Sequence, residues 1–185
     1  MQASTRSGPP VPAAPPGEPW EAVRERLSYR RGQPYHAATE FSFASPYIPR
    51  HADFVAYAAE SFTPGRPLMH AASHLMSRIH ADFAYTANAT DAGTPALESL
   101  RLRRGVCQDF AHVMIGCLRS LGLAARYVSG YLLTEPPPGQ PRLVGADASH
   151  AWVSVWSPSA DGGDSAQDET TWFDLDPTND RPAGE

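Results

Sequence analysis

The 185-residue sequence contains no lysine: all fifteen basic residues are arginines, set against twenty acidic ones, for a formal net charge of −5. That balance offers a polyanion no general attraction, so nucleic acid is not an expected partner. No stretch approaches the roughly eighteen apolar residues that a membrane span requires, so no membrane association is expected. The opening residues MQASTRSGPPVPAAPPGEPW lack the apolar centre of a secretion signal, and the expected location is cytoplasmic. Cysteine is scarce as well. Cys107 and Cys117 fall on one predicted helix, where their separation is about 15 Å of rise. Bridged Cα atoms lie within roughly 7 Å. The two thiols are therefore unpaired with each other, which suits a reducing compartment.

What the chain does contain is ordinary for one globular domain: 42% apolar and 19% charged residues. Proline is plentiful but uneven. Residues 1–19 hold Pro9, Pro10, Pro12, Pro15, Pro16 and Pro19 and almost no large apolar side chain, the composition of a linker or disordered segment. The globular part is read as 20–185.

Thr63 and Pro64 look like a cap and first-turn proline of a helix. Leu68, Ala72, Leu75, Met76, Ile79 and Phe83 then recur at three- and four-residue steps, giving it one apolar face. His70 and His74, four apart on it, have a metal-compatible spacing but no third ligand nearby, and read as solvated or partly buried histidines. A second helix runs from Cys107 to about Leu121, with Phe110, Val113, Met114, Cys117, Leu118 and Leu121 on its apolar side and Gly122 as its C-terminal cap. AARYVSGYLL follows as a strand. TEPPPGQPRLVGADA reads as loop. SHAWVSVW alternates, with His150, Trp152, Ser154 and Trp156 on one face. After the loop PSADGGDSAQDE, TWFDLD is a strand stopped by Pro177. Helices first and strands after them predict an α+β domain, with an antiparallel sheet packed on the central helix.

Cys107 opens the second helix just after Arg103, Arg104 and Gly105. There the positive end of the helix dipole and unpaired N–H groups favour a thiolate. Gly105 permits a tight start and close approach of another backbone. Cys117, mid-helix on the apolar face, reads instead as a small buried hydrophobe. A thiolate needs a proton acceptor, and histidine suits neutral pH. His112 lies five residues along the helix, about 140° around it from Cys107, and does not reach. His150 opens a strand, where it can project from the sheet rim. Asp174 and Asp176 share one face of the last strand, and alternation does not choose between them as the group orienting that base. Gln108 and Asp109 read as polar groups of the helix start, Gln108 near enough to line the site. Trp152 reads as sheet core or cleft wall.

GVCQDFAH, LRSLGLAARYVSGYL, ASHAWVSVW and DLDPTND, in this order, resemble the catalytic core of the transglutaminase-like superfamily, and more narrowly its bacterial transglutaminase-like cysteine-protease branch. The resemblance spans about Ser61 to Asn179. It implies a papain-like fold, with Cys107 as nucleophile, His150 as base and Asp176 as the orienting acid. It implies acyl transfer at carboxamides of a peptide or protein substrate, by hydrolysis or transamidation through a thioester, with no cofactor and no metal. Members of the branch usually continue past DPTN, so 20–185 reads as a C-terminally incomplete core. Without lysine the chain cannot crosslink itself through side-chain amines, which favours peptidase or amidase action. A non-catalytic peptide- or protein-binding module that kept the fold is the alternative. A metal site built from Cys107, His150 and Asp176 has suitable ligand types but no closely spaced pair.

Overall fold

The computed structural model describes residues 17–32, 36–87, 89–91, 93–132, 148–158 and 172–183. Helices fill its first half: α1 (Trp20–Arg26), a 3₁₀ turn (Ala37–Ser42), α2 (Ala52–Ala58), α3 (Leu68–Asp82), α4 (Ala96–Leu102) and α5 (Cys107–Ser120). Two short strands, β1 (Ala84–Tyr85) and β2 (Arg104–Gly105), pair in parallel just ahead of α5. The second half is an antiparallel sheet of β3 (Ala125–Leu132), β4 (Ala148–Trp156), β5 (Trp172–Asp176) and β6 (Arg181–Pro182), joined in that order. The architecture is α+β, as the residue pattern predicts.

The core is organised around α5, which contacts α2, α3, α4, β3 and β4. A helix enclosed on most sides must be apolar nearly all round. Phe110, Ala111, Val113, Met114, Ile115, Cys117 and Leu118 are all buried. Gly116 sits mid-helix, where glycine costs about 1 kcal/mol relative to alanine. Its reason is contact: a Cβ there would meet Phe54 Cζ of α2 at 2.8 Å. Phe54 thus lies directly on the α5 backbone. Gly122, with φ of 82°, turns the chain out of α5 into β3.

In the sheet, Ala125 pairs with Val155, Gly130 with His150, Ser154 with Asp174 and Trp156 with Trp172. Cross-strand partners share a face, and faces alternate along each strand. Ala125, Ala151, Val153, Val155 and Leu175 therefore make one apolar, buried face. His150, Ser154, Trp156, Trp172, Asp174 and Asp176 belong to the other. The tryptophan end of that face is covered by Phe41, edge-on to Trp172 at 5.2 Å, and by His36 against Trp156 at 4.6 Å.

The first helix of the sequence reading starts later than Thr63–Pro64 suggests. Residues 63–66 form a turn, with Arg66 N–H donating to the Thr63 carbonyl at 3.2 Å and Gly65 at φ of 75°. α3 begins only after Pro67, and Phe83 stands just beyond its end in extended conformation. Of residues 1–19, only 17–19 are among those described. Glu18 O accepts from Leu68 N–H at 3.0 Å and Trp20 N–H donates to Arg66 O at 3.1 Å, so this stretch is strapped to the start of α3. Most of the two predicted loops, at 133–147 and 159–171, falls outside the described residues.

Candidate active site

Cys107 is the first helical residue of α5 and is half-buried. The residue before it, Val106, has no side-chain acceptor with which to cap the helix. The cap comes from within: Asp109, in the first turn, accepts from Val106 N–H at 2.8 Å. The same carboxylate accepts from Thr90 Oγ1 at 2.5 Å and Ser99 Oγ at 2.9 Å. Asp109 is 1% exposed and no cation pairs with it among the described residues. Its charge is balanced by these donors and by the positive end of α5. Gly105 is needed because a Cβ there would collide with the Asp109 side chain. The close approach expected at Gly105 is therefore made by a carboxylate and not by another backbone, because the helix cap folds back over the incoming chain. Asp109 does more than decorate the helix start: it fixes the turn that holds Cys107.

His150 and Asp176 are buried together, His150 Nε2 lying 2.8 Å from Asp176 Oδ2. Since the carboxylate accepts, Nε2 is the nitrogen assigned the proton, and Nδ1 keeps a lone pair. Asp176 is saturated. Its Oδ1 accepts from Thr178 N–H at 3.0 Å and Asn179 N–H at 3.3 Å, and its Oδ2 also accepts from Asn179 Nδ2 at 2.6 Å. The turn after β5 is in turn fastened to α3: His80 Nδ1 donates to Thr178 O at 2.9 Å, and Ser77 Oγ to Asp180 Oδ1 at 2.6 Å. These supports lie about a hundred residues away in sequence, and only the side-chain-to-turn geometry exposes them.

Asp174, two residues before Asp176, does something else. It accepts from Trp152 Nε1 at 3.1 Å. Trp152 lies beside His150, ring centroids 6.3 Å apart and planes 28° apart. Gly130, across the strand from His150, leaves the space this indole occupies, since a Cβ would meet Trp152 Cη2 at 2.5 Å. Trp152 is thus the wall beside the imidazole, held by Asp174.

The structure brings His150 and Asp176 into direct contact and places Cys107 at the helix start, on the helix that packs against β4. Among the described residues Cys107 Sγ makes no hydrogen bond to His150. Such bonds are often long before substrate arrives. Cys117 is fully buried, and that burial pushes its thiol far above the ordinary range, so it is held neutral. His70 and His74 lie on the exposed side of α3, His74 Nδ1 contacting Ser61 Oγ at 3.0 Å. Among the described residues no three His, Cys, Asp or Glu side chains cluster as metal ligands, and no helix is long and apolar enough to cross a membrane.

The sequence profile of the transglutaminase-like superfamily matches residues 55–177, which include Cys107, His150 and Asp176. The chain belongs to that superfamily. An uncharacterised protein of Mycobacterium tuberculosis is 48% identical over 179 residues, covering 94% of this chain and 53% of its own length. The chain thus spans about half the length of that curated relative. A protein-glutamine gamma-glutamyltransferase of Pseudomonas aeruginosa is 34% identical over 102 residues, 54% of this chain and 14% of that protein. Among solved structures, a candidate cysteine protease from Cytophaga hutchinsonii superposes with a TM-score of 0.61 at 20% identity, covering 88% of this chain and 48% of that one. The periplasmic domain of TgpA from P. aeruginosa gives 0.51 at 24% identity, covering 86% and 48%. At those identities the two structures speak to the fold alone.

Proposed function

We propose that this chain is a cysteine-dependent acyl-transfer enzyme acting on carboxamides of peptides or proteins, with Cys107 as nucleophile, His150 as base and Asp176 orienting it. The observation that carries the reading is the buried 2.8 Å contact between His150 Nε2 and Asp176 Oδ2. It commits one ring nitrogen to the acid and leaves Nδ1 free to take a proton, the arrangement a thiol nucleophile needs. In the first step Cys107 Sγ bonds to the carbonyl carbon as His150 Nδ1 receives the thiol proton. The C–N bond then breaks, and the imidazolium returns that proton to the departing amine, leaving a thioester. Attack by water yields the acid; attack by a primary amine yields a new amide. Cys107 N–H, in the first turn of α5 where the helix itself supplies no acceptor, is a natural donor to the developing oxyanion. With no lysine in the chain, self-crosslinking through side-chain amines is excluded. Hydrolysis is the favoured outcome in the absence of an external amine.

The test is incubation with glutamine-containing peptides, with and without a primary amine, read by intact-protein mass spectrometry. An acyl adduct that maps to Cys107 and vanishes in Cys107→Ala is expected. If no peptide leaves an adduct or is turned over, and Cys107 alkylates no faster than free cysteine near pH 6, the enzymatic reading fails.

A further inference from the structure

A cavity of about 480 Å³ runs beside α5, lined by Tyr47 and Ile48, by Gln108, His112 and Arg119 of α5, and by Tyr127 of β3. Positions 108, 112 and 119 are spaced by four and seven, so they form one stripe of the helix. The stripe begins at the residue after Cys107. From Cys107 to Arg119 the helix rises about 18 Å, which an extended peptide covers in about five residues. The walls are aromatic: Tyr47 stacks on His112 at 6.3 Å, and Tyr127 lies tilted against His112 at 5.1 Å. Tyr47 remains 63% exposed, an aromatic ring left open to a ligand.

The charge in this groove is one-sided. No carboxylate lines it among the described residues. Arg119 donates Nε and Nη2 to the Ala125 carbonyl at 3.0 and 2.9 Å, which uses two of the five guanidinium N–H groups. No carboxylate pairs with Arg119 among the described residues, and burial alone lowers its pKa. Burial also lowers the pKa of His112, with Asp109 opposing and Arg119 assisting, so this imidazole is neutral at neutral pH. Clamping β3 to the end of α5 explains two of the Arg119 donors and leaves the others without a partner among the described residues. A half-buried cation of this kind selects a carboxylate. At its opposite end the groove is lined by Gln108, the residue next to Cys107 on α5.

We propose that this groove binds the extended flank of an acidic peptide substrate, with Arg119 receiving an Asp or Glu side chain about five residues from the reacting amide. This rests on Cys107 being the nucleophile, and it names the substrate class for that site.

Binding is measured on Cys107→Ala protein, so the result does not depend on turnover. The probes are fluorescent peptides with a central glutamine, acetylated and amidated at their ends, carrying either Glu or Gln at the fourth, fifth or sixth position to one side or the other. At one of these positions the Glu peptide should bind about tenfold more tightly than its Gln twin. Adding Arg119→Gln should abolish that advantage, and Arg119→Lys should restore part of it. Tyr47→Ala, at an exposed position, should weaken both peptides alike. The proposal is overturned if no position shows a Glu advantage, or if the advantage survives Arg119→Gln. Should Arg119→Gln fail to melt cooperatively, Arg119→Lys decides, and an undiminished Glu advantage there overturns the proposal. A groove that selects Glu in a protein that never acylates would count against the catalytic reading and leave the groove standing.

Discussion

Removing the Asp109 carboxylate isolates what holds Cys107 in place. Asp109→Ala leaves three donors without their acceptor: Val106 N–H, Ser99 Oγ–H and Thr90 Oγ–H. The two hydroxyls can rotate toward other partners, but the amide cannot. One buried donor left unpaired costs about 1–3 kcal/mol, and the void beside Gly105 adds to it, for a total of about 2–4 kcal/mol. In a domain of this size that lowers Tm by roughly 4–16 °C. Asp109→Asn keeps one acceptor oxygen for Val106 and should lose only about 1–2 kcal/mol. The assay is urea unfolding of both variants, together with Ser99→Ala and the Asp109→Ala/Ser99→Ala double variant. A coupling of at least about 0.5 kcal/mol between positions 99 and 109 is expected. Cys107 alkylation should slow in Asp109→Ala, since the first turn of α5 is no longer fixed. Unfolding within about 0.5 kcal/mol of the unsubstituted protein, a surface-like cost, would refute the reasoning, because a caged carboxylate could not be removed so cheaply.

Three more outcomes are expected. Asp176→Asn should lower the acyl-transfer rate by orders of magnitude, since an amide can present the wrong group to His150 Nε2; Asp174→Asn should cost far less, and equal losses measured by steady-state kinetics would contradict separate roles. Iodoacetamide should modify Cys107 in the folded protein and reach buried Cys117 only on unfolding, while Cys117→Ala should retain activity and lose about 1 kcal/mol of stability through shed core contacts. Burial keeps His112 below its ordinary pKa, so as pH falls below about 6.5 the unfolded chain takes up a proton before the folded one does. This part of the stability is present above that pH and is lost on acidification toward the lower folded value. Urea unfolding at pH 7.5 and 5.0 should therefore show a smaller loss in His112→Gln than in the unsubstituted protein, and equal losses would count against a buried neutral His112.

The elements that sequence predicts best are those with strong periodicity and a physical stop. α5 ends where Gly122 adopts φ of 82°, and β5 ends at Pro177. α1, α2 and α4 have seven residues each, about two turns, too few for an apolar face to stand out. Thr63–Pro64 carries the chemistry of a helix start, yet the positive φ of Gly65 turns those residues into a bend ahead of α3. At the site, residue type and order suffice to nominate Cys107, His150 and an aspartate of β5. Alternation places Asp174 and Asp176 on one face and stops there. The family motif favours Asp176, and the side-chain hydrogen bonds show Asp176 meeting His150 and Asp174 meeting the indole of Trp152. The roles of Gly105, Asp109 and Asn179 depend on side chains folding back over a backbone, which no periodicity records.

The fastening of the turn after β5 to α3 has a consequence for assembly. His80 and Ser77 sit in α3, in the helical half, while Thr178 and Asp180 lie in the turn between β5 and β6. The carboxylate beside His150 is therefore seated by a long-range closure between α3 and the turn after β5. Contacts so distant in sequence form late and open early, because closing the intervening chain costs entropy that local helices do not incur. The His150–Asp176 pair thus matures only when the two halves have docked. A molecule whose terminal strands have peeled away can keep its α5 core, and with it most of its helical signal, while its imidazole has lost its anchor. The His150–Asp176 contact then reports completed folding more strictly than secondary structure does.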